Sequence, residues 1–313
     1  MLARVADSLY WIGRYIERAE HHSRLCDVMF TSALDQNDVA VAVARRAASA
    51  PDDDGAPERP GDGVGSARDL VLDRGYKGSV VSSLSRAREN ARQVRDQITT
   101  ESWERLNLLY LRVISADAER AFARDPPAFL GGIIADLHLF KGAADATMSH
   151  GQGWRFLLLG THLERAQLIA RLLDVCFGDE SLDAPLRDPM TQMSVLRMAC
   201  ALEPYLRAYT AEIEPRTLLD FLLFDEEFPR SIRFSIERMK DCLTNLARPA
   251  PLDNPSRPER LAARLSGRLQ YADMDEALAH DALLTLVVQE CASIHDAIYE
   301  TFVSYPLEER LPA

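Results

Sequence analysis

Positions that favour an interior recur along the first fifty residues at steps of three and four. Leu9, Ile12, Ile16, Ala19, Ser23, Cys26 and Phe30 form one stripe, and the period predicts a long helix from about Ala3 to Ala48. A run rich in Pro, Gly and Asp, from Ala50 to Gly65, ends it. That run has too little apolar surface to bury and reads as a mobile insertion. Beyond it the same period predicts helices near 79–98, 100–124, 127–149, 152–177, 189–203, 216–224, 229–247, 258–270 and 274–303. Pro126, Pro127, Pro189 and Pro229 suit first helical turns, where a missing N–H costs nothing. Gly178 suits a left-handed cap after Phe177. No stretch alternates with period two between turn signals, so no sheet is expected. The expected fold class is all-α, a helical bundle.

The stripe occurs twice. Leu9 to Val28 aligns without gaps with Phe156 to Val175, and Gly13, Glu17, Arg18, Ala19, Arg24, Leu25, Asp27 and Val28 recur as Gly160, Glu164, Arg165, Ala166, Arg171, Leu172, Asp174 and Val175. Weaker echoes centre on Glu89 and Glu237. The four glutamates then lie about 72 to 75 residues apart, a spacing that suggests an internal duplication. Residues 1–147 would form one half, carrying the insertion at 50–65, and residues 148–313 the other, packed as one compact domain.

At 100° per residue the stripe of the first helix spans about 100°, with Gly13, Glu17, Glu20 and Arg24 along one flank and Arg14 and Arg18 on the far side. A glycine inside a helix costs about 1 kcal/mol, so its recurrence at Gly13 and Gly160 implies close backbone packing. Besides ordinary i,i+4 pairing on a solvated helix face, Glu17 and Glu164, with their following arginines, have two readings. One is a buried ion-pair network between helices, in which removing one partner strands a charge. The other is a binding or catalytic cleft formed by Glu17, Arg18, Arg24, Glu164, Arg165 and Arg171.

A second cluster of charge lies near Glu89 and Arg92, followed by Trp103 and Asn107. Arg230 and Arg233 follow Pro229, where backbone N–H groups of a helix start favour anions. Arginines converging with an aromatic suit a carboxylate, a phosphate or a peptide terminus, or again an ion-pair network.

Composition narrows the field. With 36 Lys and Arg against 48 Asp and Glu the net charge is −12, against the basic face a nucleic-acid binder needs. The five cysteines are scattered without a C-x-x-C pair, which argues against a disulfide framework or zinc site and for a reducing cytoplasm. No apolar run reaches membrane-spanning length, and Asp7 and Arg14 interrupt any leader-like start. There is no His-Glu-x-x-His or Glu-x-x-His, and Glu17/His21 and Glu276/His280 read as helix-surface pairs rather than metal ligands. Gly131-Gly132 and Gly151-Gln-Gly153 read as helix-ending turns without the context of a phosphate loop. Cys26 and Cys176 lie on or beside the stripe and read as core. No cofactor is expected.

The motif Tyr10-Trp-Ile-Gly-Arg-Tyr-Ile-Glu-Arg-Ala-Glu20, its echo at 160–171, Arg88-Glu-Asn-Ala-Arg-Gln-Val-Arg95, Glu101-Ser-Trp-Glu-Arg-Leu-Asn107 and Phe228-Pro-Arg-Ser-Ile-Arg233 together resemble the bacterial alpha-E family. The resemblance covers nearly the whole chain, the 50–65 insertion being the main departure. It implies an all-helical companion of a circularly permuted ATP-grasp ligase, often with a transglutaminase-like peptidase, in peptide synthesis or peptide modification. The expected role is to bind the ligase or its peptide substrate. The alternative is an enzyme in its own right, acting on an activated peptide or amino-acid intermediate with buried Glu and Arg.

Overall fold

A computed structural model describes residues 1–49, 67–177, 188–209, 212–247, 255–272 and 282–304. Among these the fold is all-α, with fourteen α-helices and no strand. In chain order they are α1 (Ala3–Leu34), α2 (Asp38–Ala48), α3 (Ala67–Leu72), α4 (Val80–Gln93), α5 (Thr100–Ile114), α6 (Ala118–Arg124) and α7 (Pro126–Thr147). Then come α8 (Gln152–Phe177), α9 (Pro189–Met198), α10 (Leu202–Ala208), α11 (Pro215–Phe224), α12 (Ile232–Ala247), α13 (Arg257–Tyr271) and α14 (Ala282–Ile298), which runs into a π-helical turn at Tyr299–Val303.

Two long helices, α1 and α8, form the axis. Around α1 stand α2, α4, α7 and α8, and around α8 stand α1, α12 and α14. α5 bridges α4 and α7, and α13 bridges α12 and α14. Pairings between α1 and α8 advance in step along both helices: Leu9 lies by Gly153, Gly13 by Leu157 and Thr161, and Glu17 by Arg165. The two helices therefore run side by side in the same direction. Apolar surface is removed from water along the whole axis, with Leu9, Ile12, Leu25, Leu159, Leu163 and Leu173 fully buried.

Several helix boundaries differ from expectation. The predicted helix Ala3–Ala48 is two helices. α1 stops at Leu34, Gln36 takes a φ of 57°, and Asn37 N–H donates to Ser32 O at 2.8 Å. The Asn37 side chain then caps α2 by accepting from Ala40 N–H at 2.9 Å. Asp35-Gln36-Asn37 thus supplies a left-handed turn and a polar cap that periodicity alone does not reveal. The predicted helix 100–124 breaks between Ile114 and Ala118, and 189–203 breaks at Cys200, whose φ is 56°. Gly131 and Gly132 sit inside α7 rather than ending a helix, and α3 was not expected. Pro126 and Pro189 do occupy first turns, with Asp125 and Asp188 as caps. The 50–65 insertion, Gly178, Glu276 and His280 lie outside the described residues.

Pro229 does not open a helix; α12 begins at Ile232, three residues later. The Ser231 hydroxyl donates to Asp225 O at 2.5 Å and accepts from Phe234 N–H at 3.0 Å. Before α4 the Ser79 hydroxyl likewise donates to Asp73 O at 2.6 Å and accepts from Ser82 N–H at 3.1 Å. Each aspartate side chain also accepts a backbone N–H two residues on, Gly75 in one turn and Glu227 in the other. Asp-x-x-aromatic-x-x-Ser is therefore one turn used twice, setting the start of α4 on α1 and of α12 on α8. It carries Arg230 to the axis.

Candidate functional site

Gly13 and Gly160 mark where α1 and α8 come closest. A Cβ on Gly13 would lie 2.0 Å from Leu157 O, and one on Gly160 would lie 1.9 Å from Tyr10 O. Only a residue without a side chain fits at either position. One turn further along, the two Glu-Arg pairs exchange partners. Arg165 donates from Nε to Glu17 Oε1 at 2.7 Å and from Nη2 to Oε2 at 2.8 Å. In the other direction Arg18 Nε donates to Glu164 Oε1 and Arg14 Nε to Glu164 Oε2, both at 2.6 Å. Each glutamate is thus held by the arginine that follows the other glutamate.

Further cations complete the cluster. Lys141 of α7 donates to Glu17 and Glu20 at 2.5 Å each. Arg230 donates to Glu17 Oε1 at 3.2 Å and also to Glu20. Arg24 donates to Glu20 Oε1 from Nε at 3.0 Å and from Nη2 at 2.9 Å. Arg14 stacks over Trp11, 4.9 Å from its ring centre, and donates to Gln167 at 3.0 Å. Tyr10 hydroxyl and His295 Nδ1 lie 2.8 Å apart beside it.

These side chains fill the interface between helices rather than line an open space. Arg14, Glu17 and Arg18 are each 1% exposed, Glu20 0% and Glu164 2%. Burial opposes ionisation of Glu17, but Arg165, Lys141 and Arg230 outweigh it and hold the carboxyl well below the usual range. Burial is likewise overcome at Glu20 by Lys141 and Arg230, and at Glu164, where Arg14 and Arg18 bring the value down to about 2. His21, inside the same region, is pushed down to about 3 by burial, with His22 and Arg230 adding to it. The carboxylates are therefore fixed anions and His21 is neutral near pH 7.

The Alpha-E family, described as a predicted alpha-helical domain with a conserved ER motif, matches residues 1–303. The chain belongs to the Alpha-E family. It is also similar to uncharacterized proteins of Mycobacterium bovis and of two strains of Mycobacterium tuberculosis, at 26% identity over 94% of this chain. The chain spans 35% of the length of those relatives. No solved structure is significantly similar to it.

For this Alpha-E chain the Glu-Arg motif is thus an exchange of partners between α1 and α8. Of the residues singled out in the sequence, Glu17, Arg18, Arg24, Glu164, Arg165 and Arg230 meet in this cluster. Arg171 is half-buried further along α8. Glu89 and Arg92 form an exposed pair at 2.7 Å within α4. Trp103 stacks against the guanidinium groups of Arg88 and Arg95, and Asn107 accepts from Arg88 at 3.2 Å. Arg233 pairs with Glu226 at 2.7 Å over a separate depression with Glu237, Lys240 and Gln270. Pro229 contributes a backbone carbonyl, which accepts from Arg165 at 2.9 Å. Arg14 and Arg18, on the far side of the helical wheel, are nevertheless buried, because α1 is surrounded.

Sequence reasoning missed Lys141 and His295 altogether. Lys141 had one usable signal: it is the sole Lys or Arg in the otherwise apolar and acidic α7. His295 had none within the repeat. Among the described residues no group of three or more His, Cys, Asp and Glu is placed to hold a metal ion. None of the described helices is long and apolar enough to cross a membrane.

Proposed function

We propose that this Alpha-E chain is a helical companion component of a peptide synthesis or peptide modification system, working with a circularly permuted ATP-grasp ligase and binding the ligase or its peptide substrate. The observation that carries this reading is the closed state of the Glu-Arg cluster. Its carboxylates are desolvated, saturated with cations and depressed in pKa, so none is poised to exchange a proton near neutrality. Such a cluster orients two long helices and leaves recognition to the helices that surround them. Acid–base chemistry by Glu17 or Glu164, the alternative, has these same depressed pKa values against it.

The mycobacterial relatives add support, since the matching region is about a third of each chain and so adjoins further polypeptide there. Within such a system the chain works in the cytoplasm, where its five free cysteines stay reduced. A transglutaminase-like peptidase, where one is present, would act on the same peptide substrate. Mixing the purified chain with a circularly permuted ATP-grasp ligase from the same organism should give a complex on gel filtration or a changed rate of ATP hydrolysis. Absence of both effects rejects the partnership.

A further inference from the structure

The Glu-Arg cluster has more cations than carboxylates. Around Glu17, Glu20 and Glu164 stand Arg14, Arg18, Arg24, Lys141, Arg165 and Arg230. The surplus of positive charge makes itself felt wherever the cluster reaches solvent. Arg24, 14% exposed, is one such place: one edge of its guanidinium holds Glu20 while the residue lines a cavity of about 310 Å³ on the other side. Asp27, Arg197, Cys200 and Glu203 share that cavity with it, together with Val28, Thr31 and Leu202.

The cavity is lined by charges of both signs, Arg24 and Arg197 with Asp27 and Glu203. Asp27 is half-buried and within electrostatic reach of both Arg24 and Arg197. Glu203 stands exposed at the rim. Arg197 and Cys200 lie where α9 ends, in a turn in which Cys200 N–H donates to Arg197 O at 3.0 Å and Ala201 N–H to Leu196 O at 2.7 Å. This turn normally takes glycine at its left-handed residue, yet here a cysteine occupies it with φ 56°. Cys200 is partly exposed into the cavity, whereas Cys26, Cys176, Cys242 and Cys291 are buried. It also lies within electrostatic reach of Arg230 in the cluster.

The geometry points to a binding site for a small zwitterion, a free α-amino acid or a dipeptide, with its carboxylate on Arg24 and Arg197 and its ammonium on Asp27 and Glu203. Guanidinium groups suit a carboxylate because they present paired donors in a plane. Two carboxylates beside them supply the acceptors that an ammonium needs when it leaves water. The volume sits at the lower end of the range for small-molecule sites, roughly 300–1,000 Å³, which favours an amino acid or dipeptide over a nucleotide. Cys200 lines the same cavity, so its reactivity reports on an occupant. This site deepens the companion function and rests on it for its biological sense, since it gives that function an amino-acid or peptide ligand.

The test uses the full chain with no ligase present. Calorimetric titration is run with a panel of common α-amino acids and dipeptides, alongside their N-acetylated and C-amidated forms. Alkylation of Cys200 by iodoacetamide, mapped by mass spectrometry, is followed on the same samples. The expected result is that at least one free zwitterion binds and slows Cys200 alkylation several-fold, while its blocked forms do neither. Arg197→Ala, at an exposed position, and Asp27→Asn should each abolish binding while the chain keeps its helical circular dichroism and melting temperature. Three results overturn the proposal: no binding across the panel, binding that survives Arg197→Ala, or equal binding of a zwitterion and its blocked forms. A ligase complex that forms normally alongside such a result would fault the site and leave the partnership standing.

Discussion

Gly13 and Gly160 exclude side chains from each other's helix: each sits against the backbone of the turn that precedes the other. A methyl group at Gly160 would lie 1.9 Å from Tyr10 O and 2.9 Å from Tyr10 C, and one at Gly13 would lie 2.0 Å from Leu157 O and 2.8 Å from Thr161 N. These obstacles are backbone atoms, which cannot turn aside as a side chain can. Moving α1 from α8 would also lengthen every bond in the Glu-Arg exchange. Gly13→Ala and Gly160→Ala should therefore each destabilise the protein by about 2 kcal/mol or more, despite alanine's better helix propensity. Gly142 in α7 is the control, because its Cβ position is open. Gly142→Ala should stabilise by ~0.5–1 kcal/mol. Urea unfolding of the three variants gives the comparison, and a loss at Gly142 equal to that at Gly160 would contradict it.

Glu164 is the second point of leverage. Replacing its carboxylate by an amide leaves Arg14 and Arg18, each 1% exposed, without their shared anion. Breaking a buried pair from one side costs about 3–5 kcal/mol, since the desolvated cations remain. Glu164→Gln should therefore lose several kcal/mol in urea unfolding. Glu89→Gln, at a pair whose members are 46% and 57% exposed, should change stability by no more than ~0.5 kcal/mol. Equal melting of Glu164→Gln and the parent, with loss of ligase stimulation alone, would move the cluster from scaffold to chemistry.

How far this cluster could be read from the sequence depends on the kind of contact. The pairing of α1 with α8 was legible because glycine inside a helix is costly and Gly-x3-Glu-Arg occurs twice. Burial of Arg14 and Arg18 was not. A helical wheel places residues around one axis but does not say how many neighbours surround it, and α1 is enclosed by α2, α4, α7 and α8. Lys141 reaches Glu17 and Glu20 from more than a hundred residues away, a separation no local pattern spans. The predicted helix 189–203 runs straight through Cys200, because periodicity does not register a left-handed residue unless it is glycine. The breaks at Gln36 and Cys200 escaped for that one reason.

The titration of buried groups predicts acid sensitivity in two stages. His21 falls from an ordinary 6.5 to about 3 through burial, with His22 and Arg230 adding to it, and His162 is also held well below its ordinary value by burial and Arg165. Between pH 6.5 and about 3 the unfolded chain binds protons that the folded one refuses, so stability falls as pH drops through that window. Glu164 falls from 4.5 to about 2, burial being outweighed by Arg14 and Arg18. Its stabilising contribution is present above 4.5 and is lost as pH falls toward 2. Each group contributes up to about 1.4 kcal/mol per pH unit within its window. Unfolding free energy should thus decline from about pH 6.5 and more steeply below 4.5. His21→Leu, the residue type found at Leu168 in the second copy, should make the decline shallower from pH 6.5 down to about 3, leaving the parts that His162 and Glu164 contribute. An unchanged profile between pH 6.5 and 4.5 in that variant would show that His21 is not kept neutral.

The repeated turn before α4 and α12 gives a prediction made twice over. Ser79 and Ser231 are both fully buried, and each hydroxyl donates to an aspartate carbonyl six residues back while accepting an N–H at the start of its helix. Alanine at either position leaves a backbone carbonyl and a backbone N–H without that partner, at a part-buried turn. An N-cap serine is typically worth ~1 kcal/mol, and a buried unsatisfied group costs about 1–3 kcal/mol. Ser79→Ala and Ser231→Ala should each therefore lose roughly 2 kcal/mol. The two differ in what they position: Ser79 sets α4 on α1, whereas Ser231 directly follows Arg230, which binds Glu17 and Glu20. Loosening Arg230 should let the depressed pKa of its two carboxylates rise, so Ser231→Ala should also shift the lower stage of the acid profile upward. Ser79→Ala should lower stability without moving that stage. Matching pH profiles for the two variants would show that the turn before α12 serves its helix alone and does not hold Arg230 in the cluster.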